Sequence, residues 1–223
     1  MQGKNMDAVK QEEIIASFVK VISCEACDEY TSRKLLRDNK ENIPQPGYVG
    51  EYYDSNRLLL VGQNPGIAPE HRREKDKVYT QSLRELARKP SMESYKSFYN
   101  TVIDFVPEWP VNRNYFPLEE CDLSLEDIAY CNVVRCRTVN NSAPSKGLIS
   151  NCTKKHFLNF VNAIEPNVVI FIGKWAHDNT AHLLPKGVKY SFMNRMRSLS
   201  GLERQKNRRE VIALVKAGVP KNS

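Results

Sequence analysis

The chain has 223 residues, of which 41% are hydrophobic and 26% charged, a composition that predicts a globular domain with a hydrophobic core. No apolar run approaches the roughly 20 residues of a membrane helix, and the polar residues 1–7 do not resemble a signal peptide, so we expect an intracellular protein. The formal net charge of +7 suits a polyanionic partner such as nucleic acid, although a solvated basic surface would give the same charge.

Helical and strand-like patterns alternate along the chain. Apolar residues at helical spacing begin near the N-terminus, and the short apolar run at 57–61 is typical of a strand buried on both faces. In chain order, the predicted elements are a helix at 7–23, a loop at 37–56, a strand at 57–61, a charged mobile loop at 70–77, helices at 80–89 and 91–105, a strand at 127–134, a helix at 152–164, a strand at 167–172, a helix at 173–183, a strand at 187–192 and a basic helix at 203–217.

This alternation predicts one α/β domain over residues 1–223. Strands separated by helices form a mainly parallel sheet with helices on both faces. We expect a three-layer α/β/α sandwich around a four-stranded sheet, with an N-terminal arm at about residues 1–56. Ligands of such sheets bind beyond the carboxyl ends of the strands, and two polar motifs of this chain fall there.

Four of the six cysteines have a spacing that indicates a metal centre. One C-x2-C pair is followed, more than a hundred residues later, by two cysteines with fifteen residues between them; the four are Cys24, Cys27, Cys136 and Cys152. Cys131 lies in an apolar run and Cys121 in a loop, so neither is expected to bind metal. An iron–sulfur cluster, a structural zinc ion and no metal are the alternatives. The single tight pair favours the cluster, since zinc sites normally use two tight pairs.

Two asparagines follow or end predicted strands. Asn64 stands at the apex of Gly-Gln-Asn-Pro-Gly at 62–66, a rigid turn with exposed backbone N–H groups. The alternative is a structural turn in which Asn64 bonds only its own backbone. A phosphate-binding loop is excluded, because no Gly-Lys-Ser/Thr follows. Asn132, near the end of the second strand, offers a donor and an acceptor to a nucleobase edge, or else is a satisfied core amide.

Four features in order along the chain resemble the uracil-DNA glycosylase superfamily, and its iron–sulfur branch (family 4) in particular. They are the C-x2-C pair before the first strand, the G-x-x-P-G loop, the Asn-Val-Val-Arg-Cys strand end at 132–136, and the cysteine at 152. The resemblance covers about residues 20–185. It implies a [4Fe–4S] cluster bound by the four cysteines, and an activity on damaged DNA.

Two motifs depart from the iron–sulfur branch. That branch usually carries an acidic residue in the first loop, whereas Asn64 resembles the mismatch-specific and single-strand-selective branches, in which an asparagine positions the attacking water. The late His-Pro-Ser motif of the superfamily is absent, and Ser198 falls where its histidine would lie. The resemblance then implies that Ser198, or Arg197 from a shifted position, replaces the donor to the base carbonyl. Weak activity, a different base or no activity are the alternatives.

The resemblance also implies the remaining contacts to DNA. Gly62 and Gln63 would line the base pocket with Asn132, and Tyr79 is the candidate for stacking on the flipped base, with core packing as its alternative. Leu202 is a candidate wedge for the space that the base leaves, or else the first apolar residue of the last helix. Basic residues of that helix would contact phosphates; they are Arg204, Arg208 and Arg209.

These residues predict a monomeric, monofunctional DNA glycosylase of base-excision repair that flips a deaminated base, uracil first, and hydrolyses its N-glycosidic bond. The departure in the late motif favours a second interpretation, a DNA-binding or damage-sensing iron–sulfur module without turnover. A third is a zinc-stabilised α/β enzyme that acts on a small molecule. The cysteine spacing and the lack of another catalytic set disfavour it.

Overall fold

The computed structural model describes residues 8–27, 35–36, 42–105, 116–194 and 200–219. A five-stranded sheet forms its centre. The strands are β1 Tyr48–Val49, β2 Leu58–Gly62, β3 Ile128–Asn132, β4 Val168–Ile172 and β5 Lys189–Met193. They lie in the order β1-β3-β2-β4-β5, with β2 to β5 parallel to one another and β1 antiparallel to β3.

The predicted sheet of four strands is therefore corrected to a mixed sheet of five. β1 lies inside the segment 37–56, whose Asn, Pro and Gly content predicted a loop. Two residues are too few to show the alternation that identifies a strand, and β1 is defined by the pairing of Tyr48 with Tyr130 of β3. The four predicted strands correspond to β2, β3, β4 and β5.

Helices surround this sheet. In the described part of the chain the α-helices are α1 Ala8–Ile22, α2 Tyr53–Asn56, α3 Arg73–Arg88, α4 Met92–Phe105, α5 Lys146–Cys152, α6 Leu158–Ile164, α7 Lys174–Thr180 and α8 Gly201–Gly218. A π-helical turn at Thr153–Phe157 joins α5 to α6. The helix predicted at 152–164 thus begins earlier, where the Ser145 hydroxyl accepts a hydrogen bond from the Leu148 N–H and caps α5.

The charged stretch at 70–77 is helical, and the prediction of a loop there is wrong. Residues Glu70–Arg72 form a 3-10 turn that leads directly into α3. The residues at 73–75 are exposed, whereas Asp76 is 6% exposed and points into the protein. Most of these charges form the polar face of an amphipathic helix, and their high density gave no indication that Asp76 is buried.

Both faces of the central sheet are covered, since every residue of β2, β3 and β4 is buried. Helix α1 packs against α3, α4 and α6, while α7 and α8 pack against the strands β4 and β5. None of the described helices combines the length and the apolar character needed to cross a membrane. The parallel strands end together, and this edge carries Gly62 and Asn132.

Candidate active site and cysteine cavity

Asn64 lies in the loop after β2, and its amide is held from one side. The Nδ2 atom donates to the Thr138 Oγ1 at 3.1 Å and to the Pro65 carbonyl at 3.2 Å. The Thr138 hydroxyl donates its only O–H to the Ser142 carbonyl at 2.7 Å, so towards Asn64 it acts as the acceptor. These partners fix which end of the amide faces the protein. Among the described residues nothing donates to Oδ1, which is left as an open acceptor.

A buried ion pair holds the same loop in place. Arg137 donates from Nε to the Gly66 carbonyl at 3.0 Å and from Nη1 to the Asp76 carboxylate at 2.7 Å. The side chains of Arg137 and Asp76 are 6% and 8% exposed, so water screens their attraction poorly. The Asn141 side chain adds a second tie, since its Oδ1 accepts from the Ile67 N–H at 2.9 Å. The loop is therefore fixed to the segment that follows β3.

Asn132 ends β3 directly beside Gly62, its register partner on β2. Its Oδ1 accepts a hydrogen bond from the Tyr130 hydroxyl at 2.9 Å. This arrangement needs glycine at position 62, because an added Cβ would lie 2.6 Å from the Tyr130 hydroxyl and still closer to the Asn132 Oδ1. With Oδ1 occupied, Nδ2 of Asn132 has no hydrogen-bond partner in the described ranges and is left as a donor.

The structure thus brings the two asparagines to the ends of neighbouring strands, where their free amide atoms have opposite hydrogen-bonding roles. Asn64 presents an acceptor and Asn132 a donor. Gln63 directly precedes Asn64 and is half-buried, and its carbonyl accepts from the Val134 N–H at 3.0 Å, which continues the pairing of β2 with the chain after β3. An acceptor suits a water molecule, and a donor suits a carbonyl group of a base.

The four predicted ligands line one cavity. Cys24 and Cys27 follow α1, Cys136 follows β3, and Cys152 ends α5 at the π-helical turn. Among the described residues, no three His, Cys, Asp or Glu side chains are close enough together to hold a single metal ion. The thiols therefore surround a common space without forming a compact group of ligands.

Burial raises the pKa of the Cys152 thiol to about 12. The backbone N–H of Arg135 lowers this pKa by a hydrogen bond, whereas Cys136 and Cys27 raise it further, which shows that three of the four thiols lie within electrostatic reach of one another. Metal binding requires thiolates, so a metal would have to displace this proton.

The same cavity is lined by Arg135, which has the largest fully buried side chain of the described residues. Its Nη1 donates to the Pro46 carbonyl at 2.7 Å, and its guanidinium carbon lies 5.3 Å from the centre of the Phe160 ring. Its Nε and Nη2 atoms are buried without a hydrogen-bond partner. Among the described residues that line the cavity there is no carboxylate. A cavity with thiols and an uncompensated cation fits an anionic thiolate-bound group.

Tyr79, the predicted stacking residue, lies in the core between α3 and α4. It is 1% exposed, and its ring stacks on Phe105 with centroids 5.8 Å apart. The Phe98 ring also packs against it, with centroids 6.1 Å apart. A ring in this position favours the core-packing alternative, because an incoming base needs an accessible face.

The predicted DNA-contact residues lie on α8, which begins after Ser200 with a reciprocal cap between Ser200 and Glu203. Leu202 is 79% exposed at this end of the helix. Arg204 is half-buried, and Arg208 donates from Nε to the Glu120 carboxylate at 2.9 Å. This hydrogen bond lowers the pKa of Glu120. The predicted donors Ser198 and Arg197 lie outside the described residues.

Several residues that shape the site were not predicted. Tyr130 lies two residues before Asn132 on the same strand, so the two-residue period of a strand places both on one face and was a usable signal. The pairings of Thr138 with Asn64 and of Arg137 with Asp76 join residues more than sixty positions apart, and no local pattern indicates them.

A family model described as the uracil DNA glycosylase superfamily matches residues 49–216. The matched residues include both asparagines, Cys136 and Cys152, but neither Cys24 nor Cys27. A comparison with curated proteins found no match.

Proposed function

The chain belongs to the uracil DNA glycosylase superfamily, and we propose that it is a monofunctional glycosylase that hydrolyses the N-glycosidic bond of a deaminated base, uracil first, in DNA. The observation that carries this proposal is the pair of oriented amides at the ends of β2 and β3. One offers an acceptor and the other a donor, and each orientation is set by a hydrogen bond to a neighbouring side chain.

In the proposed reaction Asn64 positions the attacking water. Its open Oδ1 accepts a hydrogen bond from the water, while Thr138 keeps Nδ2 turned away. An amide is too weak a base to remove the proton before the bond breaks. Cleavage through a dissociative transition state needs a water held in line more than a deprotonated one, so positioning is the contribution expected of Asn64.

Asn132 is proposed to read the base. Deamination replaces the amino group of cytosine or adenine, a hydrogen-bond donor, by a carbonyl, an acceptor. The Nδ2 donor of Asn132 matches the carbonyl and would face another donor in the undamaged base. Tyr130 supports this choice by occupying Oδ1, and backbone N–H groups of the Gly62–Gln63 turn would stabilise the departing base anion.

For the cysteine cavity we propose a [4Fe–4S] cluster bound by Cys24, Cys27, Cys136 and Cys152. Each thiolate of such a cluster binds a different iron, which suits four thiols around a shared space better than the close group that one zinc ion requires. When bound, the cluster would cross-link α1, the segment after β3 and α5. Stability is the contribution expected from this cross-link.

The proposal assigns the DNA face to the N-terminal half of α8. Leu202 is exposed where a wedge would enter the duplex, and the basic residues of the same helix would contact phosphates. Ser198 or Arg197, which precede α8, would supply the donor that the histidine of the late motif provides elsewhere in the superfamily.

A cleavage assay on matched oligonucleotides containing uracil, hypoxanthine or a mismatch tests the activity. We expect wild-type protein to cleave at uracil and Asn64→Ala to cleave far more slowly. The absent late histidine favours the second candidate, a damage-binding module. Tight binding to damaged DNA without cleavage of any of these bases would establish that function and reject the glycosylase.

A further inference from the structure

Arg135 carries a buried charge that the described protein does not neutralise. A guanidinium is a charged group, and its transfer from water into a protein interior is unfavourable unless other groups compensate for the lost hydration. Arg135 is 1% exposed; it donates to the Pro46 carbonyl, lies over the Phe160 ring and contacts the Cys131 thiol. Two of its three nitrogens have no hydrogen-bond partner. A bound anion would stabilise a buried cation of this kind.

The cysteine cavity is where that anion would lie. Arg135 directly precedes Cys136 in the chain and lines the same cavity as all four thiols. Four thiolates give a bound cluster a net negative charge, and one-electron reduction makes that charge more negative. The cavity has a cation in place for both states.

We propose that Arg135 is the counter-charge of the cluster and sets its reduction potential. This inference rests on the proposed [4Fe–4S] group. The guanidinium stabilises the reduced cluster more than the oxidised one, because its attraction grows with the negative charge it faces. Arg135 is thus a positioning and tuning residue that touches neither DNA nor the reacting base.

The chain offers a matched control at the same cavity. Lys155 also lines it, but its side chain is exposed to water. Water and salt screen an exposed cation, so removal of its charge has little effect at the cluster, whereas removal of a buried charge has a large one. A comparison of Arg135→Met with Lys155→Met therefore separates burial of the charge from its presence.

The test uses full-length protein purified without oxygen and titrated with dithionite, with the cluster followed by its visible absorption and by electron paramagnetic resonance. Arg135→Met should lower the equilibrium constant of one-electron reduction by roughly tenfold, which is about 59 mV. Lys155→Met should shift it much less, and Arg135→Lys should lie between Arg135→Met and wild type.

The outcomes separate this inference from the cofactor proposal. Wild-type protein without iron and sulfide would reject the cluster itself. A wild-type cluster whose potential moves equally in Arg135→Met and Lys155→Met would reject the role of Arg135 alone. If Arg135→Met fails to retain the cluster, Arg135→Lys decides: retention close to the wild-type iron content supports the counter-charge, and loss in both variants overturns it.

Discussion

Asn64 Nδ2 and Thr138 Oγ1 lie 3.1 Å apart, and their hydrogen bond joins the loop after β2 to the segment after β3. Because the Thr138 hydroxyl donates to the Ser142 carbonyl, it can only accept in its hydrogen bond with Asn64. The orientation of the amide is therefore decided by a threonine whose side chain is completely buried.

This relationship predicts how substitutions in the loop affect cleavage. Asn64→Ala should lower the single-turnover rate by roughly 10²-fold for every base, because the water loses its acceptor, while affinity for damaged DNA stays nearly unchanged. Thr138→Val should cause a smaller loss, since the amide can then rotate. Asn159→Ala, at an exposed position on α6, is the control. Cleavage by Asn64→Ala at the wild-type rate would show that the loop does not position the water.

Replacing the donor of Asn132 by an acceptor should change the choice of base. Asn132→Asp removes Nδ2 but keeps an oxygen for the Tyr130 hydroxyl, so the local packing is preserved. A carboxylate accepts from the amino group of cytosine, and we expect uracil to lose about 1–3 kcal/mol of preference over cytosine. Relative single-turnover rates on uracil and cytosine measure it. An unchanged ratio of these rates would mean that Asn132 does not read the base.

The buried pair of Arg137 and Asp76 should matter for stability as a pair. Arg137→Met leaves the Asp76 carboxylate buried without its cation and should cost about 3–5 kcal/mol in the free energy of unfolding, measured by denaturant titration. The double variant Arg137→Met with Asp76→Leu should recover much of this loss. If the double variant is as unstable as the sum of both single variants, the pair is not the source of the effect.

The metal ligands should be distinguishable from the other cysteines by colour. Wild-type protein should be brown, and Cys136→Ala should lose its visible absorption and unfold more easily, because ligation contributes folding free energy. Cys121→Ala, a buried cysteine that does not line the cavity, should keep the colour. Colourless wild-type protein with stoichiometric zinc would contradict the cluster.

Salt dependence should reveal whether α8 contacts DNA. Neutralising Arg204, Arg208 and Arg209 together should weaken binding to all sequences and reduce the slope of log affinity against log salt by about 0.9 per lost phosphate contact. Glu120→Gln removes the carboxylate that holds Arg208 and should strengthen binding. Unchanged slopes would place the DNA face elsewhere on the protein.

The regular part of this fold was predictable because its signals are local. The apolar run at 57–61 and its counterparts at 127–134 and 167–172 correspond to β2, β3 and β4, since a strand buried on both faces is mostly apolar. β1 was not predicted because two residues show no periodicity. The first turn of α3 was not predicted because its exposed charged residues outnumber its single buried charged residue.

The sequence by itself determined the family features: the two asparagines near strand ends, which belong to short motifs, and the four cysteines, which are recognised by residue type and spacing. Only the tertiary structure decided what each side chain meets. It placed Tyr79 in the core, turned the Asn64 acceptor outward through Thr138, and left the Arg135 cation beside four thiols. Such contacts join residues far apart in the chain, and the energy of a buried polar or charged group depends on partners that no local pattern contains.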